Sequence, residues 1–383
     1  MSWENRSFGD CALLIRDVVK PGDIQDVPYI GLEHISQGQL SLLGFGRFKD
    51  VVSAKSRFLK GDILFGKLRP YFRKVVIAPF DGVCSTDIWV VRAKPGTNQK
   101  FLFYWMASND FVDTASRASE GTKMPRAQWD YVEQIQQNVP DEPEQRLIAE
   151  VLGALDDKIE LNRCTNATLE SMARAVYRQW FVENEEVVKW EVGKLSGICT
   201  TQYGYTASAS DENIGPKFLC ITDMNKEPWI DWADVPYCEI GKEALRKYQL
   251  EIGDILVSRM ADPGKAGIVE EEINAVFASY LVRLKFKDLA WAYFGYYFLR
   301  SDRYLEYTNG AKSGSVQSGM NARIITDVDI SIPPDEKVMS FFETIKPFRN
   351  MIVANLKESR TLASLRDALL PKLMKGEVRV MVN

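Results

Sequence analysis

The sequence contains a single histidine, His34, and six cysteines at positions 11, 84, 164, 199, 220 and 238, with no C-x-x-C pair. Zinc sites of the usual ligand spacing are therefore excluded, and a histidine-based catalytic triad has only one candidate residue. We interpret the scattered thiols, Cys199 among them, as reduced structural residues rather than as nucleophiles.

Long apolar runs are also missing. No stretch approaches the roughly 18 to 20 apolar residues that a membrane span requires, and the first residues (MSWENR) lack the features of a signal peptide. These absences predict a cytoplasmic protein. The net charge of −4 excludes a uniformly basic surface, so any binding of a polyanion depends on local groups of Lys and Arg.

The 383 residues repeat themselves after about 190 positions. Residues 61–64 (GDIL) recur letter for letter as residues 253–256, and residues 101–110 (FLFYWMASND) are echoed by residues 293–302 (YFGYYFLRSD). A solenoid has much shorter units, of roughly 20 to 50 residues. Short β-branched and aromatic runs precede a helical run in both copies, so the repeat predicts two copies of one α+β domain.

A long amphipathic run follows each copy, and both open with Pro and acidic residues, at positions 140–143 and 333–336, as helix N-termini prefer. Steps of four and three define a heptad seam in each run. The seams are Ile148, Leu152, Leu155, Ile159, Asn162, Asn166, Leu169, Ala173, Val176 and Trp180, then Phe341, Ile345, Phe348, Ile352, Asn355, Ser359, Leu362, Arg366, Leu369 and Leu373. Pro371 predicts a bend or an end of the second helix near Leu370.

Matching seams favour an antiparallel coiled coil of two helices, each roughly 60 Å long. The alternative is that each helix packs alone on its own domain. Asn162 and Asn355 interrupt the two seams near their middles, where a buried Asn fixes register.

The predicted segments are residues 1–142 (first domain), 143–184 (first helix), 185–335 (second domain) and 336–378 (second helix). Two like surfaces on one spacer suit a ligand with two spaced sites, such as duplex DNA.

Several stretches resemble one family along nearly the whole chain: GDIL twice, residues 85–89 (STDIW), 144–146 (EQR), 202–206 (QYGYT) and 218–224 (FLCITDM). The chain resembles the specificity subunit of type I restriction-modification systems. The resemblance implies two target recognition domains that each read half of a bipartite DNA site. It departs from the family at Cys220, where the family has Arg.

The resemblance also implies partners. Methyltransferase subunits, expected to be two, would bind the helices and the S-adenosylmethionine needed for adenine methylation, and a restriction subunit would cleave the DNA. The chain itself would be non-catalytic, without cofactor or metal. Consistent with this, residues 332–335 (IPPD) lack the flanks of an adenine methyltransferase motif. The acidic groups of residues 141 and 156–157 lie about four helical turns apart and cannot share a nuclease metal.

Two loops in each copy carry basic, hydroxyl and amide side chains suited to phosphates and base edges. The candidate DNA-binding residues are Lys67, Arg69, Arg73, Lys74, Thr122, Lys123, Arg126, Gln128, Arg259, Lys265, Lys312, Ser313, Gln317, Asn321 and Arg323. The alternative for each loop is a solvated surface turn.

We interpret His34 and the aromatic residues Tyr104, Trp105, Tyr296 and Tyr297 as structural. The alternative function is a protein-interaction scaffold with two lobes on a coiled coil, favoured by the acidic net charge.

Overall fold

A computed structural model describes residues 3–119, 124–224, 228–313 and 319–380. The chain forms two compact units. Unit 1 comprises residues 1–161 and 359–383, and unit 2 comprises residues 162–358. Each unit therefore contains one copy of the repeated domain, together with about half of each long helix.

The described residues of unit 1 form three sheets. Its strands are β1 (Glu4–Ser7), β2 (Ala12–Ile15), β3 (Val18–Val19), β4 (Pro28–Ile30), β5 (Gly46–Arg47), β6 (Lys55–Phe58), β7 (Ile63–Gly66), β8 (Val75–Ile77), β9 (Gly82–Cys84), β10 (Ile88–Ala93) and β11 (Gln136–Val139). Its helices are α1 (Phe8–Cys11), α2 (Gln99–Ala107), α3 (Asn109–Arg117), α4 (Trp129–Val132) and the first half of α5 (Glu142–Phe181). The sheets have the orders β2-β10-β7-β8, β3-β6-β9-β4-β5 and β1-β11.

Unit 2 follows the same plan. Its strands are β12 (Glu191–Lys194), β13 (Cys199–Tyr203), β14 (Lys217–Leu219), β15 (Ile255–Ser258), β16 (Ala266–Ile268), β17 (Ala275–Phe277), β18 (Leu281–Phe286) and β19 (Asp329–Ile332). Its helices are α6 (Ile221–Met224), α7 (Lys242–Tyr248), α8 (Leu289–Leu299), α9 (Asp302–Ser313), α10 (Ala322–Thr326) and α11 (Asp335–Met374). The order β13-β18-β15-β16 reproduces β2-β10-β7-β8, and β12-β19 reproduces β1-β11. The predicted duplication and α+β class are confirmed.

The repeated GDIL segment owes its identity in both copies to the same turn. Gly61 and Gly253 both have φ of +91°, a left-handed conformation that favours glycine. The following Asp62 and Asp254 are buried, and each accepts a backbone N–H from the residue three positions earlier, at 2.8 and 3.0 Å. Because a buried carboxylate needs a partner, each also binds an arginine of the neighbouring strand, β10 or β18. The repeated letters therefore encode a scaffold turn.

The aromatic helices α2 and α8 lie in the cores, as the sequence predicts. Tyr104, Trp105, Tyr296 and Tyr297 are all nearly inaccessible to solvent. His34 is also structural, since its Nδ1 accepts the N–H of Gly31 at 2.9 Å.

The two long helices are 40 residues each, and both contribute to the core of each unit. In unit 1, Ile148 and Leu152 of α5 and Leu373 of α11 pack in one cluster with α2. In unit 2, Tyr177 of α5 and Phe341 of α11 pack in one cluster with α8. The early part of each helix thus meets the late part of the other, which is antiparallel packing, and the alternative of helices confined to their own domains is wrong.

Polar contacts in unit 2 occupy the interrupted part of the seam. The side chain of Asn162 donates to the carbonyl of Asn355 at 3.4 Å and to the carboxylate of Glu358 at 2.8 Å. Asn355 in turn donates to Oδ1 of Asn166 at 2.8 Å. Asn162 and Asn355 therefore lie in the contact between α5 and α11, and their role in fixing register stays a prediction.

The expected effect of Pro371 as an end of the second helix is wrong. Helix α11 continues through Pro371 to Met374, because proline removes only its own N–H donor and its carbonyl still accepts the N–H of Lys375 at 3.1 Å. The helix ends at Met374, and Gly376 beyond it has φ of +71° and donates its N–H to the carbonyl of Leu373.

Candidate nucleic-acid interface

The two predicted loops of the first domain lie side by side in unit 1. Backbone hydrogen bonds join the loop after β7 to the segment before α4: Arg69 donates to the carbonyl of Pro125 at 2.8 Å, and Ala127 donates to the carbonyl of Lys67 at 2.9 Å. Leu68 and Arg126 form an antiparallel bridge between them. Residues that are separated by more than 50 positions in the chain thus form one surface feature.

The corresponding loops of the second domain meet in the same way in unit 2. Lys67 donates its N–H to the carbonyl of Asp87 at 2.9 Å, and Arg259 donates its N–H to the carbonyl of Tyr280 at 3.0 Å. The carbonyl of Arg259 accepts the N–H of Met320 at 2.8 Å, as that of Lys67 accepts the N–H of Ala127. Lys67 and Arg259 therefore occupy equivalent positions in the two copies.

Several candidate side chains of unit 1 are already bound to protein groups. Arg73 forms an ion pair of 3.0 Å with Asp367 of α11, and its side chain is mostly buried. The ammonium of Lys74 donates to the carbonyl of Leu32 at 2.6 Å. Arg126 binds both carboxylate oxygens of Asp87, at 2.8 and 3.3 Å. Arg73 and Lys74 thus have structural contacts that a DNA contact would have to compete with.

The remaining candidates of unit 1 divide into two groups. Arg69 adopts a left-handed backbone conformation with φ of 51°, and both Arg69 and Gln128 have interaction partners within the protein. Thr122 and Lys123 lie outside the described residues.

In unit 2, Lys265 forms an ion pair of 2.9 Å with Asp262, and Asn321 caps helix α10 by accepting the N–H of Ile324 at 2.9 Å. Arg323 is exposed on helix α10. Lys312 and Ser313 end helix α9, where the backbone alone is described, and Gln317 lies outside the described residues.

Two aromatic residues beside Arg259 escaped the sequence analysis. The guanidinium of Arg259 lies over the ring of Tyr203, 5.0 Å from its centroid. Tyr280, whose carbonyl holds the N–H of Arg259, is exposed over 58% of its surface. Tyr203 ends β13 and Tyr280 precedes β18, so only the strand pairing brings them to the loop. In the sequence, the signals are their positions as aromatics at strand ends and, for Tyr203, its place in the stretch of residues 202–206.

The described residues also show whether cysteine thiols could act as nucleophiles and whether acidic, His and Cys side chains could bind a metal. Burial raises the pKa of the Cys199 thiol to about 12, so this thiol stays protonated at neutral pH and is a poor nucleophile. Burial likewise raises the pKa of Cys220 to about 11, followed in importance by the charge of Asp223. Across the described ranges, no group of His, Cys, Asp and Glu side chains has an arrangement that could hold a metal ion.

Among the helices of the described residues, none combines the length and the apolar character that a membrane crossing needs.

Comparison with known proteins assigns the duplicated architecture to a family. The family described as "Type I restriction modification DNA specificity domain" matches residues 17–171 and 187–361. The chain belongs to this family. Each matched segment begins inside one copy of the repeat and ends inside the helix that follows it, α5 or α11. The family unit is therefore a domain together with most of a long helix.

Individual relatives agree with this assignment. The chain is 33% identical to the EcoDI specificity subunit of Escherichia coli over 205 residues, which cover 50% of this chain and 46% of that protein. It is 22% identical to the HindI specificity subunit of Haemophilus influenzae, over 98% of this chain and 99% of the relative. It is also similar to the MjaIX specificity subunit of Methanocaldococcus jannaschii, with 26% identity over 94% and 86% of the two chains.

A solved structure supports the fold. The type I restriction-modification S subunit from M. genitalium aligns with 100% of this chain and 97% of its own, with a TM-score of 0.54 and 14% identity. At that identity the likeness concerns the fold alone. Together with the family match, it supports a fold of two family domains, each followed by a long helix.

Proposed function

We propose that this chain is the DNA-reading specificity subunit of a type I restriction-modification complex, and that each unit reads one half of a bipartite site. The observation that carries the proposal is the loop pair built twice on the same backbone, with different side chains at equivalent positions, such as Lys67 and Arg259. A common framework with divergent loop side chains is suited to reading two different DNA words.

Membership of the family also indicates which subunits of the complex recognise DNA and which carry out catalysis. Specificity subunits of this family recognise DNA, and catalysis belongs to other subunits of the complex. We assign adenine methylation and the binding of S-adenosylmethionine to two methyltransferase subunits docked on α5 and α11, and cleavage to a restriction subunit. Such a complex works in the cytoplasm, where the chromosome lies. The scaffold alternative is not favoured, because the family match covers both copies of the repeat.

The test is selection from a pool of randomised duplexes by the chain assembled with its methyltransferase partner. We expect an asymmetric motif of two short words separated by a constant gap of unspecified sequence. Binding is measured at several salt concentrations, since the phosphate contribution falls steeply with salt. A single uninterrupted motif, or no enrichment of any sequence, contradicts the proposal. Mapping methylated adenines in genomes with and without the gene provides an independent readout of the same two words.

A further inference from the structure

Arg259 in the paired loops of unit 2 has different surroundings from Arg126 in those of unit 1. In unit 1, Arg126 is held by Asp87. In unit 2, the position equivalent to Asp87 is Tyr280, which offers an aromatic ring instead of a carboxylate. The Nε atom of Arg259 is buried and has no hydrogen-bond partner among the described residues. Nε therefore does not tie the guanidinium to another protein group.

The rest of Arg259 is well fixed. Its backbone N–H and carbonyl are both hydrogen-bonded, to Tyr280 and Met320. Its guanidinium lies over the ring of Tyr203, and the hydroxyl of Tyr203 accepts the N–H of Ala322 at 2.9 Å. The aromatic ring is thereby held at its far end by the start of helix α10. A guanidinium that stacks on a fixed ring keeps its in-plane N–H donors available while it loses conformational freedom.

A planar fork of N–H donors matches the O6 and N7 acceptors of guanine in the major groove, and a lysine at the same place offers only a point charge. We propose that Arg259 reads a guanine in the half-site of unit 2, and that Tyr203 is the positioning residue that orients its guanidinium. Lys67 is the equivalent position of unit 1. The inference rests on the proposed function and adds to it the residue, the base and the orienting group.

The experiment compares Arg259→Ala, Arg259→Lys and wild type in the assembled complex, with duplexes that vary every base pair of the selected motif. For Arg259→Ala we expect loss of preference at one G·C pair of one word, by roughly 5- to 150-fold, the range for a bidentate contact. Arg259→Lys should keep most of the overall affinity and the salt dependence but discriminate this base pair less. Lys67→Ala is the matched control, and it should leave the preference at this G·C pair unchanged.

The results of this experiment distinguish failure of the inference about Arg259 from failure of the proposed function. If wild type yields no bipartite motif, the proposed function fails. If wild type yields the motif and Arg259→Ala leaves both words unchanged, the inference fails and the proposed function stands. A uniform loss of affinity with an unchanged motif identifies Arg259 as a phosphate contact and also overturns the inference.

Tyr203 provides a second, independent measurement. Tyr203→Ala should reduce discrimination at the same base pair as Arg259→Ala, and Tyr203→Trp, which restores an aromatic face, should recover a large part of it. Loss of discrimination at several base pairs of the word, or no rescue by Trp, would assign Tyr203 a merely structural role. Thermal unfolding of each variant checks that unit 2 remains folded.

Discussion

A buried charge network in unit 2 shows what single residues contribute to this fold. Arg349 of α11 is 1% exposed and binds the carboxylates of Glu170 and Glu270 at once. The hydroxyls of Tyr297 and Tyr293 donate to the same two carboxylates, at 3.0 and 2.7 Å. Burial raises the pKa of the Glu170 carboxyl, while Arg349 acts in the opposite direction. The arginine therefore compensates two carboxylates that would otherwise be costly to bury.

We predict that Arg349→Ala destabilises unit 2 by about 3 to 5 kcal/mol, because it leaves buried carboxylates without their counter-charge. Chemical denaturation followed by a probe in unit 2 measures the change. Lys346→Ala is the matched control on the same helix. Its exposed ion pair with Glu343 spans 3.7 Å, and its loss should change the free energy of unfolding by no more than about 0.5 kcal/mol. Equal effects of the two substitutions would contradict the structural role of the network.

Residues of this kind define the limit of what the sequence predicts. The GDIL turns, the core aromatics and the structural histidine are short-range features, and their roles can be inferred from local pattern. The partners of Arg349 lie 179 and 79 positions away, and Arg73 finds Asp367 across 294 positions. No local pattern predicts such pairs. The basic residues around Arg73 in the sequence predict a DNA contact, whereas in the fold Arg73 forms an ion pair with Asp367 of α11.

At the scale of elements, the two long helices divide their charges consistently. In unit 1, Asp156 of α5 binds Arg366 of α11 at 2.7 Å. In unit 2, Glu170 of α5 binds Arg349 of α11. Helix α5 supplies the carboxylate and helix α11 the guanidinium in both places. Pairing of α5 with another α5 would bring like charges together, so this arrangement favours the α5–α11 pair over pairs of identical helices.

The asparagines of the seam add a measurable contact between the same elements. Asn355 donates to Asn166 at 2.8 Å inside the helix contact of unit 2. We predict that Asn166→Ala and Asn355→Ala are coupled by roughly 0.5 to 1.5 kcal/mol in a double-mutant cycle of unfolding free energies. The pair Asn166 and Lys346 serves as control and should be additive. Additivity of the two asparagine substitutions would show that the hydrogen bond does not contribute to the helix contact.

Sequence reasoning was more successful for elements than for loops. The heptad period predicts both helices to within a few residues, since α5 and α11 begin at 142 and 335 against predicted starts of 143 and 336. The candidate loops were found by composition, but their pairing through Leu68 and Arg126 depends on strands far apart in the chain. Tyr203 and Tyr280 were missed for the same reason.

At the scale of the whole molecule, the proposed spacer role of the helices can be tested by changing their length. A deletion of residues 162–168 alone shifts α5 against α11 and should prevent assembly of an active complex. A paired deletion of residues 162–168 and 355–361 keeps both heptad seams in step and removes the asparagine cluster as a whole. It shortens each helix by about 10 Å, the rise of seven residues.

We predict that the paired deletion preserves both words of the DNA site and shortens the gap by about three base pairs, given 3.4 Å of rise per base pair. Selection from randomised duplexes measures both properties. An unchanged gap, with both words still read, would show that the helices do not set the spacing.

Unit 1 is built from both ends of the sequence, and this has a consequence for the order of folding. Its core cluster includes Leu370, Leu373 and Met374 of α11 beside α2, and Arg379 binds Glu144. Unit 2, residues 162–358, is continuous in the chain. A ribosome therefore synthesises every residue of unit 2 before it makes residues 359–380 of unit 1. The domain whose synthesis starts first cannot complete its core until the whole of unit 2 has been synthesised.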